Sequence, residues 1–228
     1  MVSEPQAGRG DGIAARLQSI EVRVVDAARR SGRTRSEVTL LAVSKTVDVE
    51  GIRSAVGVGL TTFGENRAQD LVAKANDVPG CSWHMIGAVQ TNKVAMLAQH
   101  VSLWHTVDRA ALVDVLARHC DGARVLIEVN VGNEATKAGC SRDELDALLE
   151  YAKASGLDVA GLMCVPPAAD DPRRHFEWMQ TRAASERLDV LSMGMSGDFE
   201  VAIEYGATIV RIGTAIFGPR PTTRAART

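Results

Sequence analysis

Between residues 38 and 218 eight short apolar, β-branched runs recur, separated by longer segments with apolar residues three and four apart. The strand-like runs fall at 38–44, 60–64, 83–87, 101–107, 125–131, 159–165, 190–193 and 208–212. Helix-like segments fall between them at 49–58, 66–75, 92–99, 109–119, 144–154, 173–187 and 198–205. Strict alternation of this kind demands parallel strands. Eight units without a linker favour a single closed (β/α)8 TIM barrel over an open doubly wound sheet. No GxGxxG follows the first strand, which also argues against a dinucleotide fold. Ile13, Leu17, Ile20 and Val24 mark an extra amphipathic N-terminal helix, ended by Ser31-Gly32-Arg33. The expected organisation is one barrel domain over 12–218, with loose tails at 1–11 and 219–228.

Composition narrows the class of function. A chain of 228 residues can bury one full core. A formal net charge of −2 gives no electrostatic reason to expect nucleic acid or a membrane surface. No apolar run approaches the ~20 residues of a membrane span. Cys81, Cys120, Cys140 and Cys164 form no CxxC pair, so neither a metal site nor a disulfide framework is expected. The first residues lack a signal pattern, and a cytoplasmic location is the expectation.

Barrel enzymes carry their chemistry at the C-terminal ends of the strands. Lys45 stands just past the apolar run Leu40-Leu41-Ala42-Val43, where an ammonium has no packing reason to be. A lysine in such a place can be an ordinary surface residue, or an amine that forms a Schiff base with a carbonyl compound. Arginine cannot take that role, which leaves Lys45, Lys74, Lys93, Lys137 and Lys153. Lys74 and Lys153 fall inside helices and are expected to be solvated; Lys93 opens a helix. Lys137 is the rival, on a Gly-flanked loop of the same face, but Lys45 has the rigid strand end.

After the seventh and eighth strands come Ser192-Met193-Gly194-Met195-Ser196-Gly197 and Arg211-Ile212-Gly213-Thr214. Glycines and hydroxyls at two successive strand-to-helix turns suit phosphate, through free backbone N–H groups; they are also common helix caps. Phosphate and an amine on one face suit a phosphorylated aldehyde. Pyridoxal phosphate fits, and so does a phosphosugar handled by a Schiff-base aldolase. Asn66 can meet a ring hydroxyl or cap a helix. Arg211 can face a ring or phosphate, or pair with a carboxylate. His84 shares its strand with Trp83 and can be a core histidine; Asp108 reads as a helix cap; Met163 and Met195 read as packing.

These residues carry a resemblance. Leu41-Ala42-Val43-Ser44-Lys45, Phe63-Gly64-Glu65-Asn66, Trp83-His84-Met85-Ile86-Gly87, His105-Thr106-Val107-Asp108, Gly161-Leu162-Met163 and the two closing motifs resemble the pyridoxal phosphate homeostasis protein family. The resemblance implies a fold like the N-terminal barrel of alanine racemase, pyridoxal 5'-phosphate as cofactor, and a role in vitamin B6 pools without established turnover. It puts the aldehyde on Lys45 and the phosphate near Ser196, Gly213 and Thr214. It sets Asn66, Met163 and Arg211 around the ring, and implies a monomer or homodimer. Arg67 and Ala88 depart from the usual pattern, where an aromatic and a histidine often stand.

A racemase needs two bases. Alanine-racemase-like enzymes take the second, a tyrosine, from a C-terminal β-domain of a partner chain. Tyr151 and Tyr205 both fall in helices expected outside the barrel. The expectation is therefore a carrier or regulator that hands cofactor to apo-enzymes; an amino-acid racemase or lyase of weak or narrow activity is the alternative.

Overall fold

The structure, a computed structural model, describes residues 7–219. Eight strands close into one parallel barrel in sequence order. They are β1 (Thr39–Val43), β2 (Thr62–Glu65), β3 (Ser82–Met85), β4 (Val101–Val107), β5 (Arg124–Val129), β6 (Asp158–Cys164), β7 (Val190–Ser192) and β8 (Ile209–Ile212). Closure is made by β8 against β1, with Leu41 beside Arg211 and Ala42 beside Ile212. The crossovers carry α2 (Val49–Gly57), α3 (Ala68–Asp77), α4 (Val94–Leu97), α5 (Ala110–His119), α6 (Leu145–Ala154), α7 (Arg173–Ser185) and α8 (Phe199–Glu204). The TIM barrel expected from the alternation is the fold that forms.

α1 (Ala7–Arg30) precedes the barrel and packs on α2, α8 and α9 (Thr214–Phe217). Ile13, Ile20, Val24 and Ala27 are its buried stripe, and Arg23 and Arg30 pair with Glu200 and Glu204 on α8. The helix starts at Ala7, inside the stretch expected to be a loose tail. Once a turn is nucleated each added residue gains a bond, so propagation crosses the Gly-rich start. The rest of both expected tails, 1–6 and 220–228, lies outside the described residues. The expected helix at 92–99 is a 3-10 turn, Thr91–Lys93, followed by the single turn of α4.

Side chains alternate across the strands and divide the core into two. The larger part lies between strands and helices; the smaller fills the barrel with Leu41, Leu103, Leu126, Met163 and Ile209. Among the described residues no helix is long and apolar enough to cross a membrane.

Candidate functional site

β1 delivers Lys45 two residues past its last strand residue, and Thr46 follows with a φ of 67°. A β-branched residue in the left-handed region is strained, so the chain turns abruptly once the lysine has been presented. At the end of β2 stands Asn66, whose backbone is met closely by Gly87 after β3. A Cβ at Gly87 would lie 2.3 Å from the Asn66 carbonyl oxygen, so only glycine fits there. Asp48 caps α2, accepting from the Gly51 N–H at 2.8 Å.

Lys45, Asn66, Ser196, Arg211, Gly213 and Thr214 line one cavity of about 670 Å3 at the C-terminal ends of the strands. Thr46, Gly197 and the exposed Met195 share the lining. The wall after β7 and β8 is backbone-rich. The amides of Ser196, Gly197, Gly213 and Thr214, and the hydroxyls of Ser196 and Thr214, donate no hydrogen bond among the described residues. At Gly197, which also lines the cavity, a Cβ would meet nothing within 4 Å, so the loop is open there. Clustered unpaired N–H groups of this kind form an anion cradle.

Met163 is not part of the lining; it is buried in the barrel interior below. Lys137 is also elsewhere: it pairs with Glu134 at 2.5 Å and donates to the Pro166 carbonyl. Arg67 and Ala88, the two departures from the family pattern, are exposed and outside the lining.

Arg211 is buried and held by carbonyls, not by a carboxylate within ion-pair distance among the described residues. One guanidinium nitrogen donates to the Ser192 carbonyl and hydroxyl, each at 2.7 Å, and the other to the Cys164 carbonyl at 2.8 Å. Ser192 Oγ lies 2.9 Å from His105 Nδ1, and His105 Nε2 lies 3.0 Å from His84 Nδ1. Arginine only donates, so Ser192 Oγ is an acceptor toward it, and one arrangement of protons completes the network. The Ser192 hydroxyl gives its proton to His105 Nδ1, and His105, protonated at Nε2, gives to His84. In that arrangement both rings are neutral. Burial accordingly pushes His84 down to about 4 and His105 well below the ordinary histidine value, His84 and Arg211 adding to the effect on His105.

Three expectations are corrected. Lys74 is not solvated: it is 8% exposed and pairs with the fully buried Glu65 at 2.5 Å. His105, which the sequence reading placed beside Asp108 at the start of a helix, lies inside the barrel on β4. Neither Asp108 nor Asn66 caps a helix, since the cap positions of α5 and α3 are Arg109 and Arg67, which make no side-chain cap bond. The sequence reading gave Ser192 and Glu65 no role, although both lie in the motifs quoted above. Both are signalled by strand parity: Ser192 shares the inward face with Val190, and Glu65 the outward face with Phe63.

The alanine racemase N-terminal domain family matches residues 16–221. A protein named pyridoxal phosphate homeostasis protein from Aquifex aeolicus is 42% identical over 90% of this chain and 97% of its own length. Among solved structures, an unknown protein from Bifidobacterium adolescentis superposes with a TM-score of 0.85 at 31% identity, covering 95% of this chain and 98% of its own. PipY of Synechococcus elongatus PCC7942, in a structure with PLP bound, gives 0.77 at 32% identity, over 90% of this chain and all of that one.

Proposed function

The chain belongs to the alanine racemase N-terminal domain family and, within it, to the pyridoxal phosphate homeostasis proteins, and we propose that it binds pyridoxal 5'-phosphate (PLP) and serves vitamin B6 homeostasis by holding that cofactor. One observation carries the proposal: a primary amine, an anion cradle and a buried guanidinium line the same cavity. The donor set suits the group. Bound, PLP supplies an aldehyde that a primary amine can capture and a phosphate that needs N–H donors. Lys45 is assigned the aldehyde, in Schiff-base linkage. Ser196, Gly197, Gly213 and Thr214 are assigned the phosphate, and Asn66 and Arg211 the ring. Met163 is assigned an indirect part, as packing beneath the ring.

A holding role is favoured over amino-acid racemase or lyase chemistry by the position of the tyrosines. Tyr151 is on the surface of α6, bonded to Asp114, and Tyr205 ends α8; neither lines the cavity. The same proposal includes PLP-dependent apo-enzymes as recipients, a monomer or homodimer, and the cytoplasm, where the four free cysteines would stay reduced.

The test is the visible spectrum of the purified protein with PLP, before and after borohydride reduction, followed by peptide mapping. Reduction should fix the label on Lys45. Lys45→Ala should lose the absorbance with its circular dichroism unchanged. A label on Lys137, or a protein that stays colourless with added PLP, refutes the proposal.

A further inference from the structure

Outside the barrel wall, behind the cavity, lies a buried polar cluster with no part in lining the site. Lys74 reaches from α3 to the ends of β1 and β2. Its Nζ donates to Glu65 Oε1 at 2.5 Å and to the Ser44 carbonyl oxygen at 2.8 Å. The Ser44 hydroxyl donates to the same carboxylate oxygen at 2.7 Å. The second oxygen of Glu65 accepts from the Asn66 N–H at 3.3 Å. Ser44 and Glu65 are fully buried, and Lys74 nearly so.

Stability alone does not account for this arrangement. A buried ion pair is often matched or bettered by apolar residues of similar volume, because desolvation offsets the attraction. A directed bond does what apolar packing cannot: it fixes a particular peptide group. The carbonyl that Lys74 holds belongs to the peptide joining Ser44 to Lys45. It also accepts from Val47 N–H at 2.9 Å, closing the turn around Lys45 and the strained Thr46. The carboxylate that Lys74 neutralises touches the residue before Lys45 and the backbone of Asn66 together. One ammonium thus ties the two strand ends that carry the amine and the amide of the site.

We propose that Lys74 is a positioning residue for Lys45: its buried bonds to Glu65 and to the Ser44 carbonyl hold the end of β1 so that the Lys45 amine stands ready for an aldehyde in the cavity. The inference rests on Lys45 as the PLP-bearing lysine, and it predicts that the latch governs the rate of capture more than the stability of the fold.

The test uses the full chain and the double variant Lys74→Met/Glu65→Met, which removes both charges and leaves no uncompensated ion. Capture of PLP is followed by cyanoborohydride trapping with peptide mapping. Backbone freedom is followed by hydrogen exchange of the 44–48 segment without PLP. The expected result is trapping at Lys45 slowed about 100-fold, as misplacement of a reacting group by about 1 Å would do. Exchange at 44–48 should rise at least about tenfold while β5 and α6 are unchanged. Lys74→Arg, which keeps the ion pair, should recover most of the trapping rate. If the double variant does not fold, Ser44→Ala is measured instead; it cuts only the hydroxyl link and should slow trapping in the same direction. Trapping at the parent rate with unchanged local exchange overturns the proposal. If the parent traps PLP at a lysine other than Lys45, the functional proposal fails by itself. The exchange measurement then decides the latch: faster local exchange keeps it, and unchanged exchange removes it.

Discussion

Glu128 gives the sharpest quantitative test of the barrel interior. It follows Leu126 by two on β5 and so faces inward, where it is 8% exposed. Its carboxyl has neither hydrogen bond nor ion pair among the described residues. Burial pushes it from the ordinary 4.5 up to about 7, with Asp108 adding to the effect and Arg211 opposing it. A raised folded-state pKa means that the folded protein keeps the proton longer than the unfolded chain does. The stabilisation is therefore full below pH 4.5 and is lost as pH rises through about 7. From 4.5 to about 7 the loss amounts to about 3 kcal/mol. Glu128→Gln has no such titration. Its stability relative to the parent should improve by about 3 kcal/mol between about pH 4 and pH 8, read by urea unfolding across that range. Any packing or hydrogen-bonding change made by the amide is independent of pH and moves only the offset. His84 contributes with the opposite sign: its lowered pKa gives stability that is present above 6.5 and lost as pH falls toward about 4. That contribution is in both proteins and cancels in the difference. A difference that is flat with pH, or that shrinks as pH rises, refutes the reasoning.

Two further substitutions probe the site's supports. Ser192→Ala removes the hydroxyl shared by Arg211 and His105 and should cost about 2 kcal/mol in urea unfolding, the scale of a buried bond broken on one side; in the parent, nitrogen NMR should find the His105 proton on Nε2. Gly87→Ala drives a Cβ to 2.3 Å from the Asn66 carbonyl oxygen. It should destabilise by about 2 kcal/mol or more and weaken PLP binding, checked by thermal unfolding and absorbance titration.

The barrel was legible because each of its elements buries a face, and burial writes a period into the sequence. β4 spans Val101–Val107, the same residues its apolar run marks out. What stayed hidden are groups whose partners lie far along the chain. Lys74 reads as an ordinary helix lysine beside Ala75, yet it falls three residues after Leu71 and six after Ala68, on the stripe that faces the sheet. Its partner Glu65 is on the preceding strand, and nothing local marks the two as a pair. The His84–His105–Ser192–Arg211 chain joins four different strands. Parity places each of them inside the barrel, but only the closed register sets their nitrogens and oxygens within bonding distance. Asp108 and Asn66 looked like caps because Asp and Asn favour that position; the cap position falls one residue later, on arginines that make no cap bond.

Closure of the barrel is the step that builds the site. The amine comes near the start of the chain, at Lys45, and the anion cradle comes near the end, at Ser196–Gly197 and Gly213–Thr214. They meet because β8 pairs with β1, in a register that sets Ala42 beside Ile212. Gly213 follows Ile212 directly, and a Cβ there would touch the Val43 carbonyl oxygen at 3.2 Å. The phosphate side of the cavity is thus laid against the strand that carries the lysine. A slip of one residue between these strands would either turn Arg211 outward or send Ser44, not Lys45, toward the cavity, according to which strand moves. A shift of β1 would cost the buried cluster on the outer face its partners, and a shift of β8 would cost the Arg211 network on the inner face its carbonyls. The two networks therefore specify one register from opposite sides of the same wall, and the amine, the cradle and the guanidinium share a cavity only in that register.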